Sequence, residues 1–303
     1  MKVTVTGATG LIGSALVRAL KERGDEVTVL SRNPGKAARE LGVEAVSWDP
    51  LSEPAPAAAL SGRDGVVHLA GEPVAQRWTD EARRAIRASR DVGTANLVAG
   101  IAAAEPRPEV LVSSSAVGYY GKHGDEIVEE DTAAGSDFLA EVCVEWERRA
   151  HAAEELGLRV VIVRTGIVLD ASAGALKTML PPFRAGVGGP VAGGRQYMPW
   201  IHLDDIVGIY LAALDNPGWS GPVNGSAPDP VTNTEFTRIM GSVMKRPAIL
   251  PIPSFGPKLL LGGELSDALL FTGQRVVPTA LVNDGFKFTH PTLESALRDL
   301  LKK

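Results

Sequence analysis

A single cysteine, Cys143, among 303 residues excludes an internal disulfide and any site built from several thiolates. It fits a reducing compartment, and a cytoplasmic protein is expected. Positive charge is not in excess: 31 lysines and arginines face 36 acids, for a net charge of −5, and the two kinds are interspersed. The broad cationic face that a phosphate backbone requires is missing, so nucleic acid is not an expected partner. No apolar run approaches the roughly twenty residues needed to cross a bilayer. An N-terminal strand on which the fold depends cannot double as a cleaved leader, and no membrane partner is expected. Histidine is scarce. The five, His68, His123, His151, His202 and His290, include no helical pair spaced for an ion, and no metal is expected.

Glycine, by contrast, is abundant at 33 residues, and three glycines open the chain in Thr6-Gly7-Ala8-Thr9-Gly10-Leu11-Ile12-Gly13. Val3 and Val5 with the β-branched Thr4 and Thr6 read as a short buried strand. Leu11, Ile12, Ala15, Leu16, Ala19 and Leu20 then recur at helical spacing. A strand that turns into a helix across such a loop suits a dinucleotide. Gly7 permits the tight turn, Gly10 lets backbone approach a pyrophosphate, and Gly13 lets the helix pack on its strand. Thr9, Leu11 and Ile12 complete the expected cradle, where free N–H groups meet the diphosphate. The second strand, Glu26 to Leu30, ends at Ser31-Arg32 with no acid before Glu40. A cation at that point accommodates a ribose 2′-phosphate, whereas an acid would bond a free hydroxyl, so NADP is expected over NAD.

Strands at 43–48, 64–71, 108–113 and 159–164 alternate with helices at 79–104 and 137–156. Thr79 reads as the cap of the first of these helices, and Gly93 as the point where it passes close to the sheet. The fold class is α/β, a Rossmann-type doubly wound parallel sheet with a smaller C-terminal α/β lobe on the substrate side. Residues 1–170, joined by 196–216, are expected to form the nucleotide domain. Residues 171–195 and 217–303 form the lobe, which includes Pro-rich turns such as Pro251-Ile-Pro253. Ala70 and Gly71 leave room for a nicotinamide ribose at a strand tip, and Ser113, Ser114 and Ser115 place a hydroxyl cluster at the same edge. His68 reads as a core histidine and Asp204 as a helix cap. Residues 181–200 read as a glycine-rich loop in which Arg184 and Arg195 either hold an anion or are simply solvated.

Taken together, the opening motif, Leu69-Ala70-Gly71, Ser113-Ser-Ser115-Ala-Val and Trp200-Ile-His202-Leu-Asp204-Asp205 resemble the extended short-chain dehydrogenase/reductases. Ala70-Gly-Glu-Pro73, Gly118-Tyr-Tyr120, Leu180-Pro-Pro-Phe183 and Met198-Pro-Trp-Ile-His202 narrow the resemblance to the subgroup called epimerase family proteins. The resemblance implies bound NADP(H), with Ser31, Arg32, Leu69, Ala70 and Arg90 at cofactor-contact positions, and a dimer through the helices at 79–104 and 137–156. It also implies a substrate-bonding hydroxyl at Ser115. The usual catalytic tyrosine and the lysine one turn later fall on Leu139 and Cys143, or one residue earlier on Phe138 and Val142, and neither pair can supply the phenol and the cation. Cys143 reads as a small hydrophobe. Two functions stay open, beside a structural or interaction protein with a vestigial dinucleotide site, against which the three glycines and Arg32 stand. One is an oxidoreductase or epimerase acting on a small substrate, a carbonyl or a sugar nucleotide, with Tyr119 or Tyr120 as proton donor beside Ser115. The other is a non-catalytic NADP(H)-binding redox sensor or regulatory module. A phenol with an ordinary pKa of about 10 donates more readily than it accepts at neutral pH.

Overall fold

A computed structural model describes residues 1–252 and 273–302. Its centre is β1 (Lys2–Thr6), whose Val3 and Val5 are fully buried. β1 pairs in parallel with β2 (Glu26–Ser31) on one side and with β4 (Gly65–His68) on the other. The sheet continues through β3 (Glu44–Ser47), β5 (Val110–Ala116), β7 (Arg159–Thr165) and β11 (Gly221–Gly225), while the short β6 (Ile127–Val128), β8 (Ile167–Leu169), β9 (Tyr197–Met198) and β10 (Trp200–His202) lie outside it. The strand order is β11-β7-β5-β4-β1-β2-β3, parallel throughout. The order reverses between β1 and β4, which is where a doubly wound sheet opens a ligand crevice at its carboxyl edge.

Residues alternate between the two faces of this sheet, and each face has its own core. Val5, Val29, Val67, Val112 and Val163 pack with α1 (Leu11–Glu22) and α6 (Leu203–Asp215). Leu30, Val66, Leu111 and Ile162 pack on the other side with Leu97 and Ile101 of α3 (Asp80–Ala102) and Ala150 of α4 (Phe138–His151). Thr79 caps α3 by accepting from the Ala82 N–H, and Asp137 caps α4 by accepting from Leu139 and Ala140. The close passage expected at Gly93 occurs at Gly100 instead. A Cβ there would lie 2.3 Å from the Ala55 carbonyl oxygen, whereas at Gly93 the nearest atom is 3.3 Å away. Both contacts are with the 50–55 connection rather than the sheet.

The C-terminal half departs further from its sequence pattern. Residues 181–184 are not loop: α5 (Gly174–Arg184) carries Pro181 and Pro182 inside it, and Leu176, Leu180 and Phe183 are buried. α7 (Asn233–Met244) starts on a capping box, in which Thr232 and Glu235 each accept from the other's backbone N–H. A third core joins α5 and α7 to the last helix, Leu293–Leu300, through Leu176, Phe183, Phe236, Met240, Leu293 and Leu297. The cap of α6 is His202, not Asp204: its Nδ1 accepts from the Asp204 N–H at 3.0 Å, which turns the Asp204 carboxylate out to solvent. The part of the expected lobe from 253 to 272, including Pro253, lies outside the described residues. Among those described, no helix is long and apolar enough to cross a membrane.

Candidate functional site

The β1–α1 loop takes the form that a diphosphate requires. Gly7 has φ +67°, and a Cβ there would strike the Leu69 carbonyl group and the Ala70 nitrogen at 2.5–2.7 Å. Glycine is therefore obligatory where the loop crosses the tip of β4. Gly13 is equally confined: its Cβ would stand 2.4 Å from the Gly7 oxygen and 2.7 Å from Ala8 Cα. Gly10 differs, with extended backbone (φ −78°, ψ 176°), an exposed position, and only the Gly7 oxygen at 3.3 Å from a built Cβ. It heads α1 with no side-chain cap, so the N–H groups of the first turn face open space beside Thr9, Gly10, Leu11 and Ile12. An uncapped helix start under a bare glycine fits a dinucleotide's pyrophosphate.

The tip of β4 is held by a short relay. The Thr6 hydroxyl accepts from the N–H groups of Leu69 and Ala70 at 3.2 Å, and shares a hydrogen bond with His68 Nδ1 at 2.7 Å. His68 Nε2 meets the Thr94 hydroxyl at 3.1 Å. With its oxygen already accepting twice, Thr6 is the donor to Nδ1, which leaves the imidazole proton on Nε2 for Thr94. Complete burial, with Arg90 nearby, pushes the His68 pKa down to about 4, so the ring is a neutral strut. Arg90 lies behind Gly71, where a Cβ would touch its guanidinium at 3.3 Å, and the guanidinium stacks 4.8 Å above Trp146 while donating to the Glu72 and Ile86 carbonyls. Leu69, Ala70, Gly71 and Arg90 thus form one side of the crevice, with the cradle as the other. Ser31 and Arg32 stand at the end of β2. The Ser31 hydroxyl accepts from the Asn33 N–H, and Arg32 is exposed.

The tip of β5 is occupied differently from expectation. Ser113 is fully buried, its hydroxyl turned to the Ser114 carbonyl at 3.3 Å. Ser115 is 2% exposed and donates to Glu147 Oε1 at 2.6 Å. Glu147 is gripped bidentately by Arg164, with Nε to Oε1 at 2.9 Å and Nη2 to Oε2 at 2.8 Å. Arg164 Nη1 donates to the Tyr120 hydroxyl at 3.0 Å and to the Glu130 carbonyl at 2.9 Å, and Tyr120 donates to Asn224 Oδ1 at 2.6 Å. Burial alone would lower the Arg164 pKa, but the Glu147 carboxylate holds it above the usual range. Tyr120 is 1% exposed, and burial pushes its pKa up to about 12. Two of the three expected catalytic hydroxyls, Ser115 and Tyr120, are thus spent inside a closed network. Tyr119 is only half-buried, packed edge-on to Tyr120, with the Arg164 guanidinium 3.5 Å from its ring centre.

In α4, Leu139 packs over Gly118 in the first turn, and Cys143 is buried one turn later. Burial, with Glu147 nearby, pushes the thiol up to about 12. Arg164, Glu130 and Asn224 were not among the sequence candidates. Arg164 was readable only as an oddity, a charge closing the apolar strand Arg159-Val-Val-Ile-Val-Arg164.

The model of the NAD dependent epimerase/dehydratase family matches residues 3–223, and that of a domain of unknown function matches 252–300. The chain is 39% identical to the epimerase family protein SDR39U1 homolog, chloroplastic, of Arabidopsis thaliana, over all of this chain and 87% of that one. It is 41% identical to the epimerase family protein Mb2239 of Mycobacterium bovis, over 97% and 96%. A crystal structure of human epimerase family protein SDR39U1 with NADPH superposes with a TM-score of 0.88 at 35% identity, covering 99% of each chain.

Proposed function

Because the chain belongs to the NAD-dependent epimerase/dehydratase family, we propose that it binds NADP(H) across the β1–β4 crevice and reduces a small carbonyl substrate, with Tyr119 as proton donor. One observation carries this reading. On the alignment that the resemblance implies, the family's tyrosine and lysine positions hold Leu139 and Cys143; Ser115 and Tyr120 are locked in the Arg164–Glu147 network, and Tyr119 remains as the half-buried phenol at the same tip. Epimerisation at a carbinol begins by taking a proton from a hydroxyl and so needs a base. Carbonyl reduction needs an acid, which a phenol supplies more readily at neutral pH. NADPH supplies the hydride when bound. Tyr119 hands its proton to the substrate oxygen and recovers one from water, while Arg164 keeps a positive charge under the ring as negative charge develops. Exposed Val92 on α3 and Val144 on α4 support a homodimer through those helices.

The preference for NADP rests on Arg32. Arg32→Asp replaces the cation for a 2′-phosphate with an acid suited to a free hydroxyl. The loss of a charge-assisted contact of roughly 1.5–3 kcal/mol is expected to weaken NADPH about ten- to a hundredfold and to favour NADH. Fluorescence titration with both cofactors measures it. An unchanged preference would remove Arg32 from the site.

The closed network favours a second reading, a non-catalytic NADP(H) sensor. Leu139→Tyr with Cys143→Lys separates the two. If the pocket admits a carbonyl but lacks proton chemistry, NADPH oxidation appears in the double variant alone, with general-acid help of about 10²–10⁴-fold. If Tyr119 already serves, the wild type turns over slowly and Tyr119→Phe reduces the rate tenfold or more. The lysine would be buried beside Arg90, so melting temperatures must accompany the rates.

A further inference from the structure

Four donor groups from three stretches of the chain converge where α6 meets the last helix. His202, Asp204, His290 and Asp299 place one nitrogen or carboxylate oxygen each within 4.8 Å of one another. His202 is 2% exposed, and its Nε2 is buried without a hydrogen-bond partner. That nitrogen lies 3.6 Å from Asp299 Oδ2, too far for a hydrogen bond. It is close to the separation of about 3.4 Å between two ligands on one tetrahedral ion with bonds of about 2.0–2.1 Å. His290 is brought alongside by Asp205, whose carboxylate oxygens accept from the N–H groups of Thr289 (2.6 Å) and His290 (3.0 Å). The two imidazoles lie 3.9 Å apart at 35°. His290 is the half-exposed ring of the two. Lys302 engages Asp299 through Oδ1 and leaves Oδ2 available.

We propose that His202 Nε2, His290 and Asp299 form a site for a zinc-class divalent cation, with a fourth position open to solvent. His202 now spends Nδ1 on the Asp204 N–H, so its proton sits on Nε2. Binding takes Nε2 as the ligand and shifts the ring's one proton to Nδ1 with no net release, where it faces Asp204 Oδ2, at present 3.8 Å away. Asp204 becomes the outer carboxylate that orients the ligating imidazole, and α6 gives up one cap bond in exchange. Two imidazoles and one carboxylate select zinc, cobalt or nickel over magnesium. The ion would tie α6 to the last helix. The sequence pattern hides this site because its ligands come from three segments rather than a helical pair.

The test uses the full chain stripped with a chelator, then given zinc, cobalt or magnesium chloride one at a time. Zinc is expected to bind at one equivalent in calorimetry and to raise the melting temperature. Cobalt should produce the visible d–d bands of a low-coordinate ion, and magnesium neither effect. His290→Gln and Asp299→Asn should each weaken zinc at least about tenfold, and Asp204→Asn about 10–100-fold, with NADPH affinity unchanged. His202 is left intact because it caps α6. Failure of the wild type to bind zinc, or binding that none of the three variants weakens, overturns the proposal. A response to pH alone overturns it as well, since the histidine pair would then be a proton site.

Discussion

Glu147→Leu is expected to destabilise the protein by about 3–5 kcal/mol, because it strands the Arg164 guanidinium in the interior without its carboxylate. The pair sits with side-chain exposures of 4% and 8%, so solvent cannot replace the lost partner. The damage extends past the pair, since Ser115 loses its acceptor while Arg164 also anchors Tyr120 and the Glu130 carbonyl. Through Tyr120 the network reaches Asn224, which in turn donates to Val277, so β5, β7, β11 and the C-terminal segment loosen together. Adding Arg164→Met to Glu147→Leu should recover much of the loss, because removing both charges avoids the uncompensated one. Urea melts of the two variants decide it. A loss below about 1 kcal/mol for the single variant would mean that the pair is hydrated and no lock.

That network explains what the amino-acid sequence conveyed and what it withheld. The nucleotide half is built from local signals. Alternating valines make β1 and β2, glycines stand where backbone must pass backbone, and Thr79 and Asp137 cap helices by rules that act over three residues. The tip of β5 is governed by contacts between residues 17 to 104 positions apart, Arg164 with Glu147 and Tyr120 with Asn224. No period or motif announces such pairs, so Ser115 and Tyr120 read as free hydroxyls. β11 was missed for a related reason. Gly-Pro-Val-Asn-Gly lacks strand character, and it is strand only because β7 offers it a ladder. Similarly, Pro181-Pro182 looked like a loop, yet the burial of Leu180 and Phe183 holds that segment helical. Tertiary packing outweighed local preference in both.

The three opening glycines should divide into two kinds of failure. Gly13→Val is expected to prevent stable folding, since even its first carbon would overlap backbone at Gly7 and Ala8, which cannot move without carrying β1 and α1 apart. Gly10→Val should fold nearly as well as the wild type. Its backbone is extended with negative φ, where a β-branched residue is at ease, and the tightest contact of the new carbon is 3.3 Å. What it loses is the ligand. The valine methyl groups would fill the space in front of the uncapped N–H groups of α1. Each charge-assisted bond to a diphosphate is worth about 1.5–3 kcal/mol, so displacing two of them weakens NADPH roughly a hundredfold or more. Thermal melts with and without NADPH separate the outcomes. For Gly10→Val the expected result is a near-native melting temperature that the cofactor no longer raises, whereas Gly13→Val should be recovered poorly or melt far lower. If Gly10→Val kept the full NADPH-induced shift, the loop would be a structural turn and the diphosphate would have to lie elsewhere.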